Sequence, residues 1–384
     1  MEKNKTNKII AILVLGTFGI LSTEMGMVGI LPEAAQYFNI NIAQAGLFVS
    51  MFALIIAISA LFMPLLFSKF ERKKTFTFVL TIFVIFTILS ALTKNFTLAL
   101  IFRIIPAFVH PVYCGLALTV AAEIVPEEEK QDAVSKVIMG VSAGMIIGVP
   151  ITTLFANYMG YQAAMLWFTT VNLIALIGTI TLFPQLPGQK QSYGSQVSVA
   201  KTGIFIASSI GVILLNGALY ASYGYISEFL SSMTHIIGIQ LTITLFIYGV
   251  ASIIGNWLGS KLLTKNTNKT VLTFPFIMMI LLAILFIVCK QTIPTIIIMA
   301  LWGLLAGIEN DIAQYWIVSA APQAPEFANG VFLSMGNIGV TIGTTLAGLI
   351  VISSGVQYII ILSIVMFILT FIALTIRVQK YATN

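Results

Sequence analysis

Five side chains that can carry charge or move a proton stand inside otherwise apolar stretches: Glu24, Arg103, His110, Glu309 and Asp311. Glu24 lies in LSTEMGMVGILP (21–32), and the run from Ile9 to Leu31 around it holds no other charge. A carboxylate can take up and release a proton, an arginine supplies a fixed positive charge, and imidazole titrates near neutral pH. Placed at bilayer depth, a charge costs at least roughly 2.5–3.5 kcal/mol on insertion scales, so each such residue is a functional candidate. Glu33, Glu123 and Glu228 sit near the ends of the same stretches, where a side chain reaches the interface.

The elements that carry these residues follow from composition. Of 384 residues, 59% are hydrophobic and only 8% charged, with a mean hydropathy of +1.03. A soluble core of this size needs a polar coat that this chain cannot supply. The apolar runs are continuous and helix-length, not the alternating segments of roughly ten residues found in outer-membrane barrels. Twelve spans are expected, at about 9–31, 43–67, 75–93, 97–124, 134–157, 162–184, 202–226, 238–262, 271–289, 293–320, 328–353 and 356–376. Cys114 and Cys289 both fall within these runs, so neither a disulfide framework nor a metal motif is implied. The N-terminal MEKNKTNK leads into the first span without a small-residue cleavage site and is read as a retained helix.

Positive charge orients the spans. Sixteen of the nineteen basic residues fall on one side, including Lys69, Arg72, Lys73, Lys74, Lys190, Lys261 and Arg377. Only Lys94 and Lys290 fall on the other, and Arg103 lies within the fourth span. By the positive-inside rule both termini are cytoplasmic in a multi-pass protein of the cell membrane. The basic excess is therefore topological, and nucleic acid is not an expected partner.

The longest polar connection, QLPGQKQSYGSQVSVA (185–200), divides the chain into six-helix bundles at 1–184 and 201–384. The halves repeat. A shift of 195 lays 142–162 onto 337–357 and matches Gly144 with Gly339, Gly148 with Gly343, Gly160 with Gly355, and Gln162 with Gln357. A shift of 192 lays Ser68-Lys69 onto Ser260-Lys261. The expected fold is an all-α membrane protein, twelve transmembrane helices in two pseudo-symmetric bundles, the architecture of the major facilitator fold.

With TEMGMVGILPEAAQYFNINIAQAGLFVSMFAL (23–54), SKFERKK (68–74), Arg103, GVSAGMIIGVP (140–150) and APQAPEFANGVFLSMGNIGVTIG (321–343) in order along one chain, the sequence resembles the major facilitator superfamily. It looks closest to the twelve-span drug:proton antiporter group, in the bacterial efflux branch for drugs, sugars, purines or nucleosides. The loop at 68–74 departs from the superfamily pattern: its glycines are missing. The resemblance implies that the first and fourth spans line a central cavity. It also implies proton-coupled export of a small organic molecule by alternating access, with a proton gradient as energy source and no cofactor. A metabolite exporter, an uncoupled facilitator and a proton-driven importer are the alternatives. A membrane-embedded enzyme lacks a nucleophile–base pair.

Depth sharpens the candidates. At about 1.5 Å per residue, Glu24 and Arg103 both lie roughly 9 Å below the outer face, an expected opposite pair. His110 is two turns from Arg103 on the same face, and could relay a proton or satisfy carbonyls freed by Pro111. Glu309 shares a stripe with Trp302 and Trp316, whereas Asp311 shares one with Gly307, Gln314 and Tyr315. Asn216, Tyr220, Tyr223 and Ser227 follow one face of the seventh span, either a substrate wall or an interhelical seam. Tyr113, Trp302, Gln314 and Asn337 complete the substrate candidates. Gly140, Gly144 and Gly148 form a smooth groove for close helix approach, with Pro150, Gly339 and Gly343 as further packing or conformational positions. A monomer is expected.

Overall fold

The structure, a computed structural model, describes residues 3–189 and 194–381. Lys190, counted above among the basic loop residues, and the core of the 185–200 linker lie outside them. Every long apolar run forms a helix. Lipid leaves the backbone no other partner, so the chain bonds to itself.

Eleven described helices are long and apolar enough to span a bilayer, and one of them, Gly238–Val288, has 51 residues. At 1.5 Å per residue it would be about 76 Å long, far more than the roughly 30 Å apolar core of a bilayer. Its helical path is interrupted at Asn266 (φ −161°, ψ 91°), in the basic stretch that carries Lys261, Lys265 and Lys269. The break resolves it into the eighth and ninth spans, giving the expected twelve. Outward faces carry large apolar side chains, among them Ile280, Ile287, Ile293 and Leu349.

Contacts divide the chain into two compact units, Met1–Asn39 with Ile58–Ser192, and Ile40–Ala57 with Tyr193–Asn384. The second span, drawn above within the N-terminal bundle, therefore packs for most of its length with the C-terminal helices. Ser334 Oγ donates to the Ala57 carbonyl (2.6 Å) and Thr341 Oγ1 to that of Ser50 (3.2 Å). Tyr225 lies directly against Gly46, where even a methyl group would collide with its hydroxyl.

The repeat is visible as shared geometry. Gly144 approaches the Phe18 carbonyl, and Gly148 lies against Ser22; Gly339 approaches the Ile213 carbonyl, and Gly343 that of Gly217. The shift of 195 that aligns the glycines also aligns these partners. The fifth span thus packs on the first as the eleventh packs on the seventh. Gly160 (φ 84°) and Gly355 (φ 110°) are likewise aligned, and each adopts a backbone that disfavours other residues at the turn before the next span. Pro150 withholds an amide where the fifth span bends, between Lys130–Ile146 and Gly148–Met159.

Two basic residues assigned to loops are instead buried. Arg72 is fully enclosed, donates to the Ser68 carbonyl and pairs with Glu123 at 3.5 Å. Glu123 is thus an ion-pair partner, not simply a solvated span end, because the start of the third span meets the end of the fourth. Arg377 stacks on the Trp316 ring at 3.6 Å and donates to Ser319 Oγ.

Candidate functional site

In the first unit the site begins with an interruption of the first span. Lys3–Met25 is α-helical, Gly26–Ile30 forms a 3₁₀ turn, and Leu31–Phe38 resumes the helix with Pro32 in its first turn. Gly26 and Gly29 let the chain press against Phe168, Thr152 and Thr153. Where the α-helix ends, its last carbonyls lose their intrahelical donors, an expensive condition inside lipid. Arg103, from the fourth span Phe96–Glu123, supplies them: Nη2 donates to the carbonyls of Thr23 (2.8 Å) and Glu24 (3.2 Å). Thr153 Oγ1 donates to the Gly29 carbonyl on the far side of the turn.

The Glu24 carboxylate pairs with His110, Oε2 to Nε2 at 2.9 Å, and both side chains are almost wholly buried. The depth match between Glu24 and Arg103 is realised as direct contact, with a different division of labour from the one expected. The arginine grips the main chain of residue 24, and the histidine takes its carboxylate. The carbonyl freed by Pro111, that of Ala107, accepts instead from Ser59 Oγ (3.3 Å), so the satisfying role considered above for His110 falls to a serine of the second span. The arginine still stands within electrostatic reach of the carboxylate.

Three neighbours escaped sequence reasoning. Asn172 of the sixth span directs its amide to Thr23 Oγ1 (3.0 Å) and to the carbonyls of Gly19 and Phe168, tying the first span in place. Thr23 returns its own hydroxyl to Gly19 (2.7 Å). Cys114 Sγ lies 4.0 Å from His110 Nε2. An uncharged amide within an apolar span was the available signal for Asn172. Glu24 and Cys114 meet the same imidazole nitrogen, so the group is not a nucleophile–base–orienter relay, which uses both ring nitrogens. Tyr113 is enclosed between Phe76 and Gly16.

In the second unit the candidates gather around the tenth span, Thr292–Val318. Tyr223 and Tyr248 stack at 4.6 Å and 17°, and Trp302 stands nearly perpendicular to both, with centroids 6.2 and 6.1 Å away. Tyr220 extends the cluster, edge-on to Tyr223. Tyr248, from the eighth span, was not anticipated. Glu309 is buried at 3% exposure, and its Oε1 has no hydrogen-bond partner. Asp311, half-buried, turns away toward Gly259 of the eighth span, so the two carboxylates diverge as their spacing requires. Asn216 and Asn337 donate back to their own helices, at Val212 and Leu333. Gln314 is on the exposed side of its helix.

A family model described as Major Facilitator Superfamily matches residues 13–326. The chain belongs to this superfamily. Among curated relatives it is 29% identical over 358 residues to the inner membrane transport protein YdhP of Escherichia coli (strain K12), covering 92% of this chain and 91% of that protein. It is 26% identical over 353 residues to a probable sugar efflux transporter of Helicobacter pylori (strain P12), with 90% and 88% covered. The crystal structure of the nucleoside transporter NupG superposes with a TM-score of 0.76 at 16% identity, covering 99% of this chain and all of that one, a likeness of fold. Membership of the superfamily makes this a multi-pass membrane transporter and sets the enzyme reading aside.

Proposed function

We infer that the protein exports a small organic molecule across the cytoplasmic membrane in exchange for protons, with Glu24 and His110 as the coupling site. The observation that carries this reading is the buried Glu24–His110 pair, 2.9 Å apart, beside an interrupted helix. With one proton between them the pair is carboxylate and imidazolium. A second proton neutralises Glu24 and removes the ionic attraction between the first and fourth spans. Breaking a buried pair is worth roughly 3–5 kcal/mol. That is comparable with the about 5.5 kcal/mol that takes a two-state balance from 1:99 to 99:1. Arg103 keeps hold of the Thr23 and Glu24 carbonyls in both proton states, so the first span stays docked while its charge contact changes. Alternation between outward- and inward-open states would follow proton occupancy. The protein works as a monomer with both termini in the cytoplasm.

A second reading, export of sugar, purine or nucleoside metabolites, has its support in the sugar-efflux relative and in the Asn216 and Asn337 amides. Flux of labelled sugars, nucleosides and a lipophilic cation in proteoliposomes, with and without an imposed pH gradient, tests both. An imposed gradient should drive uphill accumulation, and Glu24→Gln should abolish it while leaving exchange down a gradient. Gradient-independent flux by the wild type, or uphill accumulation by Glu24→Gln, overturns the coupling.

A further inference from the structure

Arg377 is a buried cation for which the chain supplies no anion. Only 7% of it is exposed, and it enters no salt bridge among the described residues. The sequence gives the reason. The seventh span (Gly203–Tyr223) and the twelfth (Ile359–Tyr381) contain no acid, and Asp311, the acid nearest to Trp316 along the tenth, turns toward Gly259 of the eighth. What meets the guanidinium is a ring and a hydroxyl. Its face lies on the Trp316 indole, 3.6 Å from the ring centroid, and Nη2 donates to Ser319 Oγ at 3.0 Å. Stacking occupies the face alone, because every guanidinium N–H points outward in its plane. Arg377 Nε is left buried without an acceptor, and so is Nε1 of Trp316, a residue only 2% exposed. Gly211 of the seventh span seats the edge of the indole that carries this N–H. The Tyr315 hydroxyl stands within electrostatic reach of the same guanidinium. Buried charges are ordinarily paired. A water molecule would accept from these N–H groups and leave the charge unmet.

We propose that Arg377 and Trp316 bind a phosphate group where the tenth and twelfth spans meet, with Arg377 Nε and Trp316 Nε1 donating to its oxygens. A guanidinium edge matches an oxyanion with two or more oxygens, and phosphate is the oxyanion that a membrane surface presents. Exposed lysines extend the positive field at this end of the unit. Tyr381 lies against Gly203 and 5.6 Å from Lys380 Nζ, which brings Lys201 and Lys380 to the end where Arg377 stands. A lipid headgroup and a free phosphate share this chemistry. The site uses none of the residues of the Glu24–His110 pair, so its occupancy does not rest on the export reading.

The test is equilibrium binding to the purified, delipidated full-length protein in detergent. Dioleoyl phosphatidic acid is counted by native mass spectrometry and labelled inorganic phosphate by equilibrium dialysis; dioleoylglycerol, which has the same acyl chains and no phosphate, is the comparison. Saturable binding of phosphatidic acid, of inorganic phosphate or of both is expected, at least tenfold tighter than that of dioleoylglycerol, and the arm that saturates identifies the source. Arg377→Gln should weaken it at least tenfold. Trp316→Phe keeps a ring under the guanidinium but removes the N–H, and should weaken it at least threefold. Lys261→Gln, on the loop between the eighth and ninth spans, should leave it within twofold. If Arg377→Gln does not fold, Arg377→Lys serves instead: it keeps the charge, loses the planar edge, and should bind at least threefold more weakly. No saturable binding of either phosphate, equal binding of dioleoylglycerol, or unchanged affinity in the Arg377 variant that folds or in Trp316→Phe overturns the proposal. So does a loss in Lys261→Gln as large as that at Arg377, which would show diffuse attraction and no site.

Discussion

Glu24 and Glu309 are both acids sunk into apolar helices, one in each unit, and the protein treats them in opposite ways. Glu24 is met by His110 at 2.9 Å and backed by Arg103 on its own main chain. Glu309 is enclosed with Oε1 unpartnered, within electrostatic reach of Tyr248, and pairs with no base among the described residues. A carboxylate paired with an internal base has its charge met within the protein, and a proton added to it unbalances the pair. One without a base is satisfied only by what arrives. The duplicated scaffold thus carries two different chemistries, since the shift of 195 that superposes the glycine contacts places Leu219 at the position of Glu24.

The largest effect expected beyond the transport tests is at the pair itself. His110→Ala strands the Glu24 charge and should lower unfolding stability by about 3–5 kcal/mol, read by thermal or denaturant unfolding in detergent. Adding Glu24→Gln to it should restore part of that loss. Simple additivity would mean the two side chains are not coupled and would break the comparison. Gly343→Ala drives a methyl group into the Gly217 carbonyl. Overpacking of about 1–3 kcal/mol should result. Gly148→Ala meets Ser22 Oγ, Cβ and the backbone Cα, so rotating the hydroxyl does not clear it and a loss of the same order is expected. Asn172→Ala removes the amide that ties the sixth span to Thr23 and Gly19. Membrane hydrogen bonds of this kind average about 0.6 kcal/mol, so a loss near 1 kcal/mol is expected. The smallest effect sharpens the contrast most. Glu309→Gln should leave stability within about 0.5 kcal/mol of wild type or raise it, since it deletes no internal pair. A loss above 2 kcal/mol would reveal an intramolecular partner.

Much of this was legible beforehand. Span count, repeat and glycine grooves are one-dimensional properties: bilayer thickness sets helix length, and close approach demands small residues at fixed spacing. The eighth and ninth spans could be separated from sequence because Lys261, Lys265 and Lys269 cannot sit in lipid. Membership of the second span was not legible. Its apolar faces suit either unit, and hydrogen bonds from Ser334 and Thr341 decide the matter. Arg72, Glu123 and Arg377 were placed in or near solvent because charge at a span end ordinarily snorkels there. Where neighbouring helices bring Glu123 or Trp316 alongside, pairing replaces hydration.

For the site, the sequence by itself determined which residues could act. In a chain with so little charge, Glu24, Arg103, His110 and Glu309 stand out against lipid-soluble neighbours, and helical rise places Glu24 and Arg103 at one depth. Only the tertiary structure decided who holds whom. The 3₁₀ turn at 26–30 frees main-chain carbonyls, and the arginine, with several donors on a long arm, satisfies them; the histidine is left to the carboxylate. No periodicity encodes that choice, because it depends on where one helix stops being a helix and which neighbour faces the gap.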